Sequence, residues 1–345
     1  MPLTEFAESI WYGDGVPSRI ARVALWPLSA LYSAAIAQIN MMAAMRKPAA
    51  GSIPSLSIGN LTVGGTGKTP MSAWFAARMH DQGASPAIVM RGYGDDEVLV
   101  HRLLNPDVPV FAGADRVKQV QLAAEAGSDV AILDDAFQHR QAHRVADVVL
   151  VSADRWSGAA RLLPAGPFRE PLKALRRATL SVVTVKAASD DRVRDAVRAI
   201  RTVTSSTVVT VDLIPASFVA VGDPTRQESL ADWRRRRVLA VSGIGDPTSF
   251  TAQLQRLGLV STPMAFADHH KFDAASMRQI VDAATGFDAV VCTLKDAVKL
   301  AAVWPSSAVP VWYLSQSVVP RDGTEALDDV VRLVLAARRI TPSSH

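Results

Sequence analysis

Cysteine is nearly missing from this sequence, which has one, Cys292, among 345 residues. A disulfide framework within the chain is therefore excluded, and this fits a reducing compartment. A secretory signal is not evident either, because residues 1–15 contain Glu5, Glu8 and Asp14 and no basic segment. We expect the protein to remain in a reducing compartment.

A strong excess of one charge is also missing. The formal net charge is +4, and charged residues make up 20% of the chain against 49% hydrophobic ones. These proportions exclude a disordered chain and indicate a folded globular protein. The mild basic excess suits an anionic partner such as a phosphate, an acidic lipid surface or a nucleic acid, and does not choose among them.

Charged residues are absent altogether from Val23–Met45, although Arg22 precedes this segment and Arg46 follows it. The segment is long enough to span a bilayer, but its hydrophobicity is modest. Trp26 and Tyr32 are aromatics of the kind found at a membrane–water boundary. We interpret the segment as a helix in the membrane interface, flanked by basic anchors. A buried core helix and a membrane-spanning helix are the alternatives.

Short apolar runs alternate with helical patterns along the first half of the chain, as in SLSIG at 55–59, AIVM at 87–90 and DVAIL at 129–133. Strands that are apolar throughout indicate a parallel sheet buried on both faces. The sequence thus predicts an α/β fold: a P-loop NTPase-like parallel sheet with helices on both faces, and a second, smaller α/β domain.

The pattern changes near residue 207, where two β-rich runs are broken by Pro215 and followed by loop signals. We predict a hinge there. The predicted organisation is a membrane-interface segment at 1–48, a domain with the P-loop NTPase-like sheet at 49–206, a two-stranded hinge at 207–226 and a C-terminal α/β domain at 227–345.

The strongest local motif is TVGGTGKT at 62–69, which departs from the strict P-loop only in its first residue. Its glycines allow backbone N–H groups to face a phosphate, its lysine can reach the β- and γ-phosphates of ATP, and its last hydroxyl can bind Mg²⁺. A strand before it and a helix after it make a chance glycine turn a poor alternative. The predicted nucleotide-binding residues are Thr62, Gly64, Gly65, Thr66, Gly67, Lys68 and Thr69.

Two carboxylates, Asp134 and Asp135, follow the apolar run DVAIL. A carboxylate at the end of a strand beside the P-loop strand is where nucleotide enzymes hold their metal, although such a residue can also cap a helix. We favour the metal role. Gln138 follows directly and should face the same crevice.

Transfer of a phosphoryl group to an alcohol also needs a proton acceptor. The candidates are Asp96, in an acidic cluster, and His269 or His270, in an Asp-His-His triplet. A solvated acidic loop and a metal site are the alternatives. In the stiff segment PAGPFREP at 164–171, Arg169 could neutralise phosphate and Glu170 could join the Mg²⁺ shell, or the two could form a buried ion pair.

These motifs together closely resemble the tetraacyldisaccharide 4′-kinases, the lipid A kinases of Gram-negative bacteria. The resemblance extends in order over nearly the whole chain and rests on SIGNLTVGGTGKTP at 57–70, RGYG at 91–94, LDDAFQHR at 133–140, LLPAGPFREP at 162–171, GIG at 243–245, DHHKF at 268–272 and TLKDAVK at 293–299.

The resemblance implies transfer of the γ-phosphate of ATP to the 4′-hydroxyl of a tetraacylated glucosamine disaccharide 1-phosphate, with Mg²⁺, at the cytoplasmic face of the inner membrane. It implies Asp96 as general base assisted by His269, and Arg169 on phosphate. It also implies an N-terminal segment docked on the bilayer, and no nucleic acid or obligate protein partner. The implied metal-site residues are Thr69, Asp135, Gln138 and Glu170.

The sequence departs from the family pattern at two places. Ala136 replaces the usual glycine after the paired carboxylates, which questions any left-handed backbone there. The stretch after RGYG is short, so Asp95 is an alternative to Asp96 as the base. Two other functions are alternatives: a membrane-targeting nucleotide switch that lacks an acceptor base, and a soluble small-molecule kinase with the N-terminal helix in its core.

Overall fold

A computed structural model describes residues 3–49, 51–92, 95–245, 247–267, 270–305 and 307–338. The helices in chain order are α1 (Leu3–Tyr12), α2 (Val16–Met45), α3 (Lys68–Asp81), α4 (Asp95–Leu104), α5 (Arg116–Glu125), α6 (Asp190–Arg201), α7 (Pro247–Arg256), α8 (Ala274–Ala283), α9 (Leu294–Leu300) and α10 (Thr324–Ala336).

The strands in chain order are β1 (Ser55–Asn60), β2 (Pro86–Met90), β3 (Val110–Ala112), β4 (Val130–Asp134), β5 (Ala146–Ser152), β6 (Leu180–Val185), β7 (Thr207–Ala220), β8 (Asp223–Ser229), β9 (Arg237–Ser242), β10 (Val260–Ala265), β11 (Ala289–Cys292) and β12 (Val311–Pro320).

The chain forms two compact units. The first comprises Met1–Tyr93, Leu104–Leu213 and Val318–His345, and the second comprises Gly94–Leu103 and Ile214–Ser317. Residues 318–345, which the sequence predicts to be part of the C-terminal domain, group with the first unit because α10 packs on α3, β5 and β6. The domain boundaries at 48, 206 and 226 stay a prediction.

The sheet of the first unit has the strand order β7-β6-β5-β1-β4-β2-β3, and its neighbouring strands are parallel. β1 lies between β4 and β5, so its carboxyl end is flanked by the end of β4. Ligands of open parallel sheets bind at such a carboxyl edge. The predicted parallel α/β sheet is confirmed.

Helices cover both faces of this sheet. On one face, Phe75 of α3 and Val331 of α10 pack with Ile58 and Val148, while on the other, Ile200 of α6 packs with Val149. Val148 and Val149 are adjacent in β5, and successive strand residues point to opposite faces. Every residue of β1, β2, β4 and β6 is buried, as strands covered on both sides require.

Helix α2 is 30 residues long, about 45 Å at the usual rise. Only Ser29 in it is buried, and large apolar side chains such as Val23, Trp26 and Leu31 are exposed. The helix is therefore not part of the hydrophobic core, and the alternative of a buried core helix is wrong. In the described residues it is the one helix long and apolar enough to cross a membrane.

The second unit has its own parallel strands in the order β10-β9-β11-β12, with β8 antiparallel to β7. One of its cores contains Trp233, which stacks on Phe218 at 4.1 Å between ring centroids and meets Trp312 edge-on. The other contains Tyr313 and Ile280. The predicted second, smaller α/β domain is confirmed as a fold.

Pro215 does not break the strand as the sequence analysis expected, because β7 is continuous from Thr207 to Ala220. The pairing of β7 with β6 ends at Asp212, and its pairing with β8 begins at Ser217. Pro215 lies between these two pairings, so neither β6 nor β8 loses a hydrogen bond to its missing N–H group.

Candidate active site

The glycine-rich loop lies between the end of β1 and the start of α3 and has the backbone of a phosphate-binding loop. Gly64 and Gly67 have φ values of 97° and 86°, a conformation that other residues adopt only with strain. A side chain at Gly67 would also meet Leu213, whereas the space beside Gly65 is open. The loop therefore keeps its N–H groups accessible at the N-terminus of α3, where an anion binds well.

Asn60, the last residue of β1, shapes this loop from beneath. Its side chain is buried and donates to Thr66 Oγ1 at 2.8 Å, and Thr184 Oγ1 donates to the Thr66 carbonyl at 2.9 Å. Thr66, predicted to bind nucleotide, is thus itself buried and anchored. Asn60 is not among the predicted site residues, although a polar residue that ends a buried strand before a glycine loop is a usable signal.

Thr62, the residue that departs from the strict P-loop, has an extended backbone that bridges to Phe168. Val63 N donates to the Pro167 carbonyl at 2.9 Å, and Arg169 N donates to the Leu61 carbonyl at 2.7 Å. A residue in such a ladder needs no glycine, which explains the threonine. These bonds also fix the segment 162–171 beside the glycine loop.

The paired carboxylates at the end of β4 have different environments. Asp134 is buried, and its Oδ1 accepts hydrogen bonds from Ser72 Oγ at 3.1 Å and from Asp135 N at 3.0 Å. Asp135 is exposed, with Lys68 Nζ at 3.7 Å and Arg169 Nη2 at 3.1 Å from its Oδ1. The structure therefore brings three of the predicted site residues, Lys68, Asp135 and Arg169, together.

The alanine that replaces the family's glycine causes no strain. Within the part of the chain that the structure describes, the non-glycine residues with positive φ are Asp135, at 50°, and Arg235. Ala136 is buried without such a conformation. The left-handed residue of this turn is the aspartate, a residue type that tolerates the conformation better than most.

Arg169 and Glu170 are neighbours in sequence but have separate partners. Nη2 of Arg169 contacts Asn60 Oδ1 as well as Asp135. Glu170 is buried, and Arg177 binds both of its oxygens, at 2.9 and 3.1 Å. The alternative of an ion pair between Arg169 and Glu170 is wrong, and the buried pair is instead that of Glu170 with Arg177.

The donors beside the loop suit Mg²⁺ with a nucleotide. Thr69 offers a hydroxyl, Asp135 a carboxylate, and Gln138 a carbonyl oxygen, while the side-chain nitrogen of Gln138 donates a hydrogen bond to the Asn60 carbonyl at 2.9 Å. Mg²⁺ prefers one or two carboxylates, other oxygens and the phosphates themselves. Lys68 and Arg169 together exceed the charge of Asp135 by one unit, which suits an anionic ligand.

The turn after Asp135 is held by Arg144, another residue that the sequence analysis did not consider. Its guanidinium donates to the carbonyls of Ala136 and Phe137 at 3.2 and 3.1 Å, and also to that of His139. Burial lowers the pKa of His139, and Arg116 and Arg144 lower it further. Burial and the two arginines thus both disfavour the charged form of the His139 imidazole.

Asp96 lies on α4 in the second unit, and its Oδ2 is 3.6 Å from Lys299 Nζ. The two side chains are only 11% and 16% exposed, so this ion pair is largely shielded from water. The sequence analysis passed over Lys299, although it ends the quoted motif TLKDAVK. His269 and the side chain of Asp95 lie outside the described residues.

The second unit also contains a buried carboxylate, Asp296 in α9, whose Oδ2 accepts hydrogen bonds from Gly243 N at 3.0 Å and Thr293 Oγ1 at 2.6 Å. Burial raises the pKa of Asp296 against these bonds. The GIG motif and the TLKDAVK motif are thereby joined. His270 contacts Ser276 Oγ at 2.8 Å and stacks on Phe266.

Comparison with known proteins agrees with the motifs. The family described as Tetraacyldisaccharide-1-P 4′-kinase matches residues 21–102 and 93–335. A tetraacyldisaccharide 4′-kinase of Halorhodospira halophila is 34% identical over 334 residues, covering 90% of this chain and 91% of its own. One from Anaeromyxobacter sp. (strain K) is 35% identical over 338 residues, covering 87% and 88%.

A solved structure also matches along most of its length. The crystal structure of LpxK from Aquifex aeolicus, described as an "apo" form in complex with ATP, has a TM-score of 0.75 and 28% sequence identity. The match covers 92% of this chain and 99% of that one. The similarity therefore includes the P-loop fold and the second unit's fold.

Proposed function

Since the chain belongs to the tetraacyldisaccharide-1-P 4′-kinase family, we propose that it transfers the γ-phosphate of ATP to the 4′-hydroxyl of a tetraacylated glucosamine disaccharide 1-phosphate in lipid A biosynthesis. One observation carries the proposal: Lys68 and Arg169 meet at Asp135 beside an accessible glycine loop. Two cations around one carboxylate are what a γ-phosphate and its metal need.

Backbone and side-chain groups of the first unit bind the nucleotide before the phosphoryl transfer begins. The N–H groups of residues 64–69 and the ammonium of Lys68 bind the phosphates, while Arg169 neutralises charge on the transferred group. Mg²⁺ would be held by Thr69, Asp135 and Gln138, and when bound it neutralises charge on the phosphate oxygens. Glu170 as a further ligand would have to share oxygens that already accept hydrogen bonds from Arg177 and Asn40.

The acceptor hydroxyl gives its proton to Asp96, the proposed general base, with His269 assisting. The 4′-oxygen then forms a bond to the γ-phosphorus as the bond from that phosphorus to the bridging oxygen breaks and ADP leaves. Lys299 keeps the Asp96 carboxylate in one orientation.

A kinase acting on lipid A precursors works at a membrane, and α2 supplies a suitable surface. Its exposed apolar side chains include Val23, Leu31 and Met45, and Arg46 and Lys47 follow directly. Such a helix binds an acidic interface through apolar burial and charge. We place the protein at the cytoplasmic face of the inner membrane, where ATP is available, with the acylated disaccharide as its partner.

Radiolabelled ATP and the acylated disaccharide test the proposal. We expect Asp96→Asn to lower kcat by ~10²–10⁴-fold, as for loss of a general base. Lys68→Ala should abolish ATP use, whereas Asp191→Asn, an exposed carboxylate of α6, should leave the rate unchanged. The proposal fails if label transfer is absent in the wild type, or if ATP is hydrolysed equally fast without the lipid, as in a nucleotide switch.

A further inference from the structure

Helix α2 makes a series of side-chain hydrogen bonds to the segment 162–171, which we call the proline segment. Ser29 Oγ donates to the Leu162 carbonyl at 3.0 Å and accepts from Ala165 N at the same distance. Trp11 of α1 adds a bond from its indole nitrogen to the Pro164 carbonyl, 2.9 Å long. The helix is thus fastened to the beginning of the segment.

Two further bonds reach the residues that carry the chemistry. Tyr32 Oη donates to the carbonyl of Arg169 at 3.0 Å, and Asn40 Nδ2 donates to Glu170 Oε2 at 3.0 Å. The Asn40 carbonyl in turn accepts from Arg140 Nη1 at 3.0 Å. The helix therefore contacts two of the motifs of the first unit, FREP at 168–171 and FQHR at 137–140.

The side chain of Arg169 continues this connection to the reacting groups. Its backbone N–H donates to the Leu61 carbonyl, and its guanidinium contacts Asp135 and Asn60. With its own carbonyl held by Tyr32, the residue is fixed on both sides of its Cα. A tether at the carbonyl restricts the direction of the guanidinium, and a displacement of about 1 Å in such a group can cost ~10²-fold in rate.

The residues that bind the proline segment lie on a single face of α2. Ser29, Tyr32 and Asn40 are spaced three and eight residues apart, so they lie on one side of the helix. Val23 and Leu31 point elsewhere and are 74% and 69% exposed. One helix thus presents an apolar face outward and a polar face to the site.

We propose that Tyr32 and Asn40 are positioning residues of the phosphoryl-transfer site, so that α2 is part of the catalytic apparatus and not only a membrane anchor. This inference rests on the proposed kinase function. Tyr32 fixes the position of Arg169 by a hydrogen bond to the Arg169 carbonyl, and Asn40 and Arg177 together fix the side chain of Glu170. Tyr32 acts on the turnover step because Arg169 neutralises charge on the transferring phosphate, and Asn40 acts on the same step because Glu170 directly follows Arg169 in the chain.

The variants are Tyr32→Phe, Asn40→Ala and Asn40→Asp, with Ser18→Ala as the matched control. Ser18 also lies on α2 and donates a hydrogen bond, to the Ser9 carbonyl at 3.0 Å, but it does not touch the proline segment. For each full-length protein we would measure kcat, the KM values for ATP and the acylated disaccharide, co-sedimentation with acidic vesicles, and the melting temperature.

Tyr32→Phe should lower kcat by about 5-fold, the loss of one neutral hydrogen bond. Asn40→Ala should lower it by about 10-fold, and Asn40→Asp by more, because a second carboxylate then faces Glu170. Both KM values and vesicle binding should stay within about two-fold of the wild type. The melting temperature should stay within a few degrees of it. Ser18→Ala should match the wild type throughout.

The inference is overturned if the wild type is active and the Tyr32 and Asn40 variants have the same kcat as the wild type. It is also overturned if their losses follow vesicle binding or the melting temperature, or if Asn40→Asp is no worse than Asn40→Ala. A wild type without label transfer would instead defeat the proposed function, so the two failures are distinguishable.

Discussion

Replacement of Arg177 by methionine should cost the first unit about 3 kcal/mol of unfolding free energy. The arginine binds both oxygens of Glu170, at 2.9 and 3.1 Å, and the glutamate side chain is only 3% exposed. Its removal leaves a buried carboxylate without a cation, which typically costs about 3–5 kcal/mol. We take the low end because Arg177 is itself 26% exposed and Asn40 still donates to Glu170.

Methionine is chosen because it keeps an apolar stem in place of that of arginine while removing the charge. It also removes the contact of the guanidinium carbon with the Phe137 ring, whose centroid is 4.4 Å away. The measurement is urea unfolding followed by tryptophan fluorescence, with the unfolding free energy taken from the linear dependence on urea. The matched control is Arg194→Met in α6. Its ion pair with Asp191 has side-chain exposures of 65% and 90%, so less than about 0.5 kcal/mol should be lost.

The double variant Arg177→Met/Glu170→Gln completes the test. Glutamine removes the charge that methionine leaves uncompensated, so the double variant should recover at least half of the lost stability. An Arg177→Met protein as stable as the wild type, or a double variant less stable than Arg177→Met, would refute the argument from buried charge.

Three further changes have defined outcomes. Gly67→Ala should weaken ATP binding at least tenfold, as measured by calorimetry. The left-handed backbone of residue 67 costs an alanine about 1–2 kcal/mol, and the side chain of Leu213 fills the space that the new methyl group needs. Gly83→Ala is the control, because Gly83 has a similar backbone in open space, and it should leave ATP binding unchanged. Lys299→Met should lower kcat about tenfold without changing the KM for ATP, because Asp96 loses its orienting cation, and an unchanged kcat would contradict that role. Since burial raises the pKa of Asp296, the free energy of unfolding of the wild type should fall as the pH rises above about 4, the ordinary pKa of an aspartate. Asp296→Asn lacks this titration, so its stability in urea unfolding should increase relative to the wild type as the pH rises; a relative stability that decreases with pH would contradict this.

Predictions from local sequence patterns agree with the structure where the pattern itself causes the local structure. Unbroken apolar runs, as at 55–59 and 129–133, became strands buried on both faces, because only such strands bury every side chain. The glycine spacing at 64–67 placed left-handed backbone at two of its glycines. Asp135 lies beside Lys68 because adjacent parallel strands end at the same edge.

Pro215 shows where such patterns fail. A proline predicts a break because its ring removes an N–H group, but whether that group is needed depends on which strand lies alongside. β7 changes partners around this residue, and the sequence near Pro215 contains no information about either partner.

By itself the sequence determined the class of fold, the nucleotide loop and, through its ordered motifs, the family. Only the tertiary structure decided the partners of Glu170. The sequence predicts an ion pair with Arg169 or a metal ion as its partner, whereas in the folded chain Arg177 and Asn40 donate hydrogen bonds to it. The physical reason is distance along the chain. Periodicity and spacing act over a few residues, whereas Asn40 and Glu170 are 130 residues apart and meet only because a helix packs on a loop.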